Sequence, residues 1–116
     1  MRMGLSQEFD AAHRLPGYDG KCSRVHGHTY DVEVVLEGPV DEETGLLMDF
    51  YYLKRALRSV LEELDHRDLN EILDNPTAER IAERIKAGME EQLLGTPAAL
   101  VSVKLWEGKN KWVMTG

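Results

Sequence analysis

The sequence is poor in cysteine, in long apolar runs and in positive charge. Its single cysteine, Cys22, cannot form a disulfide within the chain, which is typical of a protein from a reducing compartment. No run approaches the ~18 apolar residues that cross a bilayer, and Met1–Leu5 lacks the apolar stretch of a secretory signal. The net charge of −7 opposes binding to nucleic acid or anionic membranes. These absences predict a cytoplasmic protein that binds a small molecule.

The chain has the size and composition of one globular domain. Its 116 residues are 42% hydrophobic and 30% charged, as in an ordinary folded protein. No repeat, low-complexity segment or linker divides the chain, so we expect residues 1–116 to form a single domain. A domain this small buries a limited share of its surface, and oligomerisation is one way to stabilise it.

Hydrophobic periodicity predicts two strands, two helices and two further strands. Apolar and polar residues alternate over Leu5–His13 and over Val25–Glu37, which predicts a pair of antiparallel strands. From Phe50 to Leu64 apolar residues recur every three or four positions behind the helix cap Asp49. Asn75–Thr77 begins a second stretch of this kind, which ends near Gly95.

The last segment predicts a hairpin that completes the sheet. Val101, Val103 and Leu105 alternate with polar or amphipathic residues, and Gly108–Asn110 has the composition of a turn. Two strand pairs around two helices, without strand–helix–strand alternation, predict an α+β domain with an antiparallel sheet and both helices on one face. The other face of the sheet then needs a partner.

Three histidines have the spacing of a metal site. His26 and His28 are two residues apart on a strand, so both rings lie on one face. His13 ends the preceding strand, and antiparallel pairing brings its ring beside theirs. Such a set is typical of catalytic zinc, which keeps a fourth position open. A lone histidine is more often a surface or hydrogen-bonded core residue, but three of the chain's four in this register favour the metal.

The roles of the other candidate residues stay open on spacing alone. Cys22 is a fourth ligand that closes the metal site, a base or nucleophile beside the metal, or a buried thiol without a role. His66 is an imidazole oriented by Asp65 or a cation at a helix C-terminus. Glu107 follows a strand, where a carboxylate exposed at the rim is the ordinary interpretation.

Six sequence elements together resemble one enzyme family over nearly the whole chain. They are Phe9–His13, Cys22–His28, Gly45 with Met48–Phe50, Leu64–His66, Asn75–Glu79 and Glu107. In this combination the chain is similar to the 6-pyruvoyl-tetrahydropterin synthase family. The three residues between Cys22 and His26 resemble its 6-carboxytetrahydropterin synthase branch, since the pyruvoyl-forming branch usually has a longer loop there.

The resemblance implies zinc on the three histidines and roles for four other residues. Cys22 would be the proton-abstracting base, Asp65 and His66 a second acid–base pair, and Glu107 the anchor of the 2-amino-pyrimidinone edge of a pterin. The fold implied is the tunnelling fold, whose subunits join their sheets into a barrel, usually as trimers paired into hexamers, with active sites between subunits. Such assembly would cover the open sheet face and edges.

The reaction implied converts 7,8-dihydroneopterin triphosphate into 6-carboxy-5,6,7,8-tetrahydropterin, acetaldehyde and triphosphate, a step toward queuosine. The alternatives are a pyruvoyl-forming synthase, a variant that makes 6-hydroxymethyldihydropterin, and a non-catalytic metal- or pterin-binding module. Hydroxymethyl-forming variants often have a glutamate near the cysteine, and residues 22–25 contain none. Because the enzyme is acidic and its substrate a triphosphate, we also expect a local basic patch of Lys21, Arg24 and Arg14.

Overall fold

The fold is a five-stranded sheet with two helices packed on one face, and the computed structural model describes residues 1–116. The elements in chain order are β1 (Arg2–His13), a 3₁₀ turn (Lys21–Ser23), β2 (His26–Glu37), α1 (Phe50–Leu61), β3 (Arg67–Asp68), a second 3₁₀ turn (Leu69–Glu71), α2 (Ala78–Gln92), β4 (Ala99–Glu107) and β5 (Trp112–Met114). The strand order in the sheet is β3-β1-β2-β4-β5. Neither helix combines the length and the apolar character needed to cross a membrane.

The predicted α+β class is confirmed, but the sheet is mixed rather than wholly antiparallel. Strand β3 pairs in parallel with β1 at Ala11 and Ala12, whereas the other three pairings are antiparallel. A strand of two polar residues is too short to show alternation, so periodicity could not reveal it. Its position matters because it follows Asp65 and His66 directly and ties them to the edge of β1.

The core lies between the sheet and the helices. Phe9 of β1 and Tyr30 of β2 are directly paired, fully buried and stacked with ring centroids 4.9 Å apart. The helices contribute the buried stripes expected from their spacing: Leu53, Leu57, Val60 and Leu61 from α1, and Ile81, Ile85 and Met89 from α2. Because strand side chains alternate, residues in register with Phe9 and Tyr30 share this covered face. His13, His26 and His28 are among them.

Two predicted core positions are wrong. Phe50 begins α1 and is 60% exposed, since the first residue of the helix lies beyond the stripe that faces the sheet. In β4, the pairing register shifts opposite Val35 and Leu36, and Leu100 packs against the core in place of Val101. A bulge of this kind inserts one residue and reverses the alternation on one side of it. Sequence alternation alone does not reveal where such a bulge falls.

Gly88→Ala is expected to lower the free energy of unfolding by about 1 kcal/mol. An added Cβ would lie 2.9 Å from Cγ1 of Val60, where α2 packs closely against α1. Overpacking of this kind costs about 1–3 kcal/mol, which exceeds the gain of about 1 kcal/mol in helix propensity. Urea unfolding measures the effect. Glu90→Ala, at an exposed position of the same helix, is the control and should change stability by less than about 0.5 kcal/mol. A Gly88→Ala protein more stable than the parent would contradict the close packing.

Candidate active site

Three histidine side chains meet where β1 ends and β2 begins. His13 pairs directly with His26, and His28 pairs with Ala11, so all three rings lie on the covered face of the sheet. One ligand nitrogen from each lies within 4.8 Å of the other two. His13 is 1% exposed, and the other two rings are half-buried. The structure therefore brings together the three residues that the sequence singled out.

The ring nitrogens are arranged to bind a cation. Nδ1 of His13 donates to the carbonyl of Pro76 at 2.7 Å, and Nδ1 of His26 donates to the carbonyl of Arg24 at 2.7 Å. Because a carbonyl only accepts, each Nε2 keeps its lone pair, and these two Nε2 atoms lie 3.1 Å apart. Nε2 of His28 is buried without a hydrogen-bond partner. Two nitrogen lone pairs that face each other, beside a third buried ring nitrogen without a hydrogen bond, fit a divalent metal ion.

Electrostatics around His28 favour its neutral form. Burial lowers the pKa of His28, and the neighbouring His13 and His26 lower it further, while Glu107 opposes them. A neutral imidazole is the form that ligates a metal. Oε1 of Glu107 lies 3.4 Å from Nε2 of His28, and both side chains are only 21% exposed. Glu107 is therefore not a rim carboxylate but lies against the histidine cluster.

Cys22 is close to His26 in sequence, but its sulfur is not part of the histidine cluster. Its thiol is half-buried in the 3₁₀ turn that precedes β2, and Leu15 N–H donates to its carbonyl at 2.6 Å. The sulfur is outside the group of ligand atoms that lie within 4.8 Å of one another. The arrangement in which Cys22 closes the metal shell is therefore not formed. Lys21 and Arg24 flank this turn with exposed side chains.

Asp65 and His66 form a second cluster with Asp10. Oδ1 of Asp65 accepts from Nδ1 of His66 at 2.9 Å and from the backbone N–H of Asp10 at 3.0 Å. The Asp10 N–H, then the charge and hydrogen bond of His66, lower the pKa of Asp65 despite partial burial. His66 has a left-handed backbone (φ 58°), and its side chain is 77% exposed. The carboxylate thus holds an accessible imidazole in one tautomer.

The two clusters lie on different sides of the sheet. The histidines are on the helix-covered face, whereas Asp10 alternates with the buried Phe9 and Ala11 and points to the open face. There, an open cleft of about 590 Å³ lies between His66 and the backbone of β1 and β2, over Gly27 and Thr29. One chain therefore presents two separate reactive groups rather than one closed active site.

Sequence reasoning missed the groups that orient these side chains. These groups are main-chain atoms: the carbonyls of Pro76 and Arg24, and the N–H and carbonyl of Asp10. Because nearly every residue type has them, the sequence does not indicate which of them orient a side chain. The hydroxyl of the buried Tyr30 lies 3.4 Å from Nδ1 of His13, which sequence reasoning also did not predict. Burial and the nearby Glu107 raise the pKa of Tyr30 well above its usual range, so its hydroxyl keeps its proton.

Comparison with known proteins identifies relatives that span almost the whole chain. A putative 6-carboxy-5,6,7,8-tetrahydropterin synthase of Archaeoglobus fulgidus is 41% identical over 112 residues, which are 97% of this chain and 92% of the relative. The 6-carboxy-5,6,7,8-tetrahydropterin synthase of Synechocystis is 42% identical over 106 residues, 85% and 80% of the two chains. A dihydroneopterin monophosphate aldolase of Pyrococcus furiosus is 44% identical over 100 residues, 86% and 83%.

The fold and the family profile agree with these relatives. The Caenorhabditis elegans 6-pyruvoyl tetrahydropterin synthase structure superposes with a TM-score of 0.89 and 28% identity, over 99% of this chain and 94% of that protein. This match confirms the tunnelling fold. Residues 3–116 match the profile described as 6-pyruvoyl tetrahydropterin synthase. The chain therefore belongs to the 6-pyruvoyl tetrahydropterin synthase family.

Proposed function

We propose that this protein is a zinc-dependent lyase that converts 7,8-dihydroneopterin triphosphate and water into 6-carboxy-5,6,7,8-tetrahydropterin, acetaldehyde and triphosphate. Family membership and the names of the Archaeoglobus and Synechocystis relatives support the substrate class. The observation that carries the proposal is the cluster of His13, His26 and His28, whose ligand nitrogens lie within 4.8 Å of one another on the covered face of the sheet. A dissolved metabolite as substrate also favours the cytoplasm, with queuosine synthesis as the pathway.

The three histidines would hold zinc through Nε2. Bound zinc would polarise the hydroxyl oxygens of the substrate side chain and acidify the adjacent C–H. The Pro76 and Arg24 carbonyls keep the Nε2 lone pairs of His13 and His26 directed into the site. The lowered pKa of His28 keeps this ring available near neutral pH.

Proton transfer is assigned to Cys22 and to the Asp65–His66 pair. Cys22, as thiolate, takes a proton from a carbon of the substrate side chain, and the accessible ring of His66 moves a proton at the neighbouring position. Asp65 orients His66 through the 2.9 Å contact. Glu107, half-buried beside His28, accepts hydrogen bonds from the amino-pyrimidinone edge of the pterin.

A second copy of the chain would complete the site. The histidine cluster and the Asp65–His66 pair lie on different sides of one sheet, so a single chain does not present both to one small substrate. The outer edge of β1 ahead of Glu8 and the outer edge of the short strand β5 have no partner strand and are available for pairing with other subunits. We therefore expect a homo-oligomer, a trimer or hexamer, in which His66 of one subunit faces the metal of another.

Product analysis tests the proposed reaction. Zinc-loaded protein is incubated with 7,8-dihydroneopterin triphosphate, and the products are identified by mass. Acetaldehyde together with 6-carboxytetrahydropterin supports the proposal, and 6-pyruvoyl-tetrahydropterin as the final product would overturn it. A second candidate, a lyase that makes 6-hydroxymethyldihydropterin, has one observation behind it, the 44% identity with the Pyrococcus aldolase. Turnover of dihydroneopterin monophosphate, with none of the triphosphate, would decide for that candidate.

Replacing Lys21 and Arg24 by glutamine is expected to raise the KM for the triphosphate substrate about tenfold, since exposed ion pairs contribute about 0.2–1 kcal/mol each. Both side chains are exposed beside Cys22 and are suited to meet the phosphates. Steady-state kinetics measure the change. The same charge reduction at Arg84 and Lys86 of α2 is the control and should leave KM unaltered. Equal KM values for the first variant and the parent would reject the basic patch.

A further inference from the structure

The Asp65–His66 pair is held in place by hydrogen bonds and ion pairs, since its imidazole is not buried. Its imidazole is 77% exposed, and His66 is the only residue other than glycine with a positive φ. A left-handed backbone at a non-glycine residue costs free energy and persists where neighbouring contacts enforce it. The contacts that fix this pair therefore determine where the imidazole points.

These contacts follow the outer edge of β1. Residues 8 and 10 direct their main-chain polar groups to the same edge, because they are two positions apart on a strand. Asp10 N–H donates to Oδ1 of Asp65, and the Asp10 carbonyl accepts from the N–H of His66 at 2.6 Å. The Glu8 carbonyl accepts from Nη2 of Arg58 at 3.2 Å. One strand edge thus holds Arg58, Asp65 and His66 in a row.

Arg58 also faces the carboxylate itself. Its Nη1 lies 4.0 Å from Oδ2 of Asp65, the oxygen that His66 does not use. Glu8 and Glu62 line a cleft of about 640 Å³ together with Arg58, yet the only ion pair of Arg58 is with Asp65. A planar guanidinium can contact a carbonyl and a carboxylate at once, which an ammonium group does less well.

We infer that Arg58 is a positioning residue for the acid–base pair: its guanidinium, anchored on the Glu8 carbonyl, places a positive charge 4.0 Å from Oδ2 of Asp65 and favours the orientation in which Oδ1 faces His66. The inference rests on the proposed function, since it gives Asp65 and His66 their role. Without Arg58, Oδ2 loses its charged neighbour, and the carboxylate is oriented only by the contacts of Oδ1 with Asp10 N–H and Nδ1 of His66. Substrate binding through the metal and Glu107 does not involve this contact.

The test compares kcat and KM for 7,8-dihydroneopterin triphosphate in zinc-loaded, full-length variants. Arg58→Ala is expected to lower kcat about tenfold with KM within about twofold, in the range known for residues that orient an active group. Arg58→Lys should recover part of kcat. In the Asp65→Ala background, Arg58→Ala should cause no further loss, because both changes remove one interaction. If Arg58→Ala loses the native circular dichroism spectrum, Arg58→Met is used in its place, because methionine keeps the alkyl stem.

Several outcomes would overturn the inference. They are an unchanged kcat in Arg58→Ala, a rise in KM alone, or a full additional loss in the Asp65→Ala background. Arg84→Ala removes a comparable exposed pair with Glu63 at 3.3 Å and serves as control, with kcat unaltered. If Asp65→Ala and His66→Ala both keep the parent kcat, the acid–base pair of the proposed function is wrong. If these two lose activity while Arg58→Ala does not, only the inference about Arg58 is wrong.

Discussion

His26→Ala is expected to abolish stoichiometric zinc binding and to lower turnover by at least about 10³-fold. His26 supplies an Nε2 atom 3.1 Å from that of His13. The cluster contains no fourth ligand that could replace it. Two remaining histidines bind zinc far more weakly than three, and the hydroxyls of the substrate would no longer be polarised. His26 is half-buried, so the fold should tolerate alanine better than at His13.

Elemental analysis after dialysis, together with turnover, measures this effect. His66→Ala is the matched control, because it is the same substitution at the fourth histidine, outside the metal cluster. It should keep one zinc per chain while turnover falls. A His26→Ala protein that retains one zinc per chain would show that the metal is held elsewhere. Circular dichroism of both variants separates loss of metal from loss of fold.

Cys22→Ala is expected to keep full zinc and to lose turnover by about 10²–10⁴-fold, the range for removal of a positioned acid or base. The thiol lies outside the histidine cluster, so its removal should leave the metal ligands intact. Zinc content and kcat are measured on the same preparation. Cys22→Ser tests the chemistry further, because a hydroxyl of similar size is a much poorer base near neutral pH than a thiol.

Loss of zinc from Cys22→Ala would point instead to a cysteine that completes the metal shell, as in a non-catalytic binding module. Full turnover with full zinc would remove Cys22 from the mechanism altogether. Ser23→Ala changes the neighbouring side chain of the same 3₁₀ turn, whose hydroxyl donates only to the Gly20 carbonyl, and is the control for disturbance of the turn.

The outlines of fold and site could be predicted because they depend on local periodicity. Alternation in β1 and β2 defines which side chains share a face, and this alone places His26 and His28 together. Antiparallel pairing of β1 with β2, across the connection between His13 and His26, then brings His13 beside them. Helix α1 behind its cap Asp49 and helix α2 behind Thr77 follow from equally local signals. For these features, residue type and spacing along the chain carry the information.

Only the tertiary structure decided how the reactive groups are oriented. Pro76 is 63 residues from His13, yet its carbonyl selects the ring nitrogen that is free for a metal. Asp65 lies 55 residues from Asp10, whose backbone N–H lowers the pKa of that carboxylate. Glu107 is half-buried because it lies beside His28, and the two-residue strand β3 forms because it pairs with β1. Such contacts join main-chain atoms of distant segments, so they arise from packing and not from any pattern within one segment.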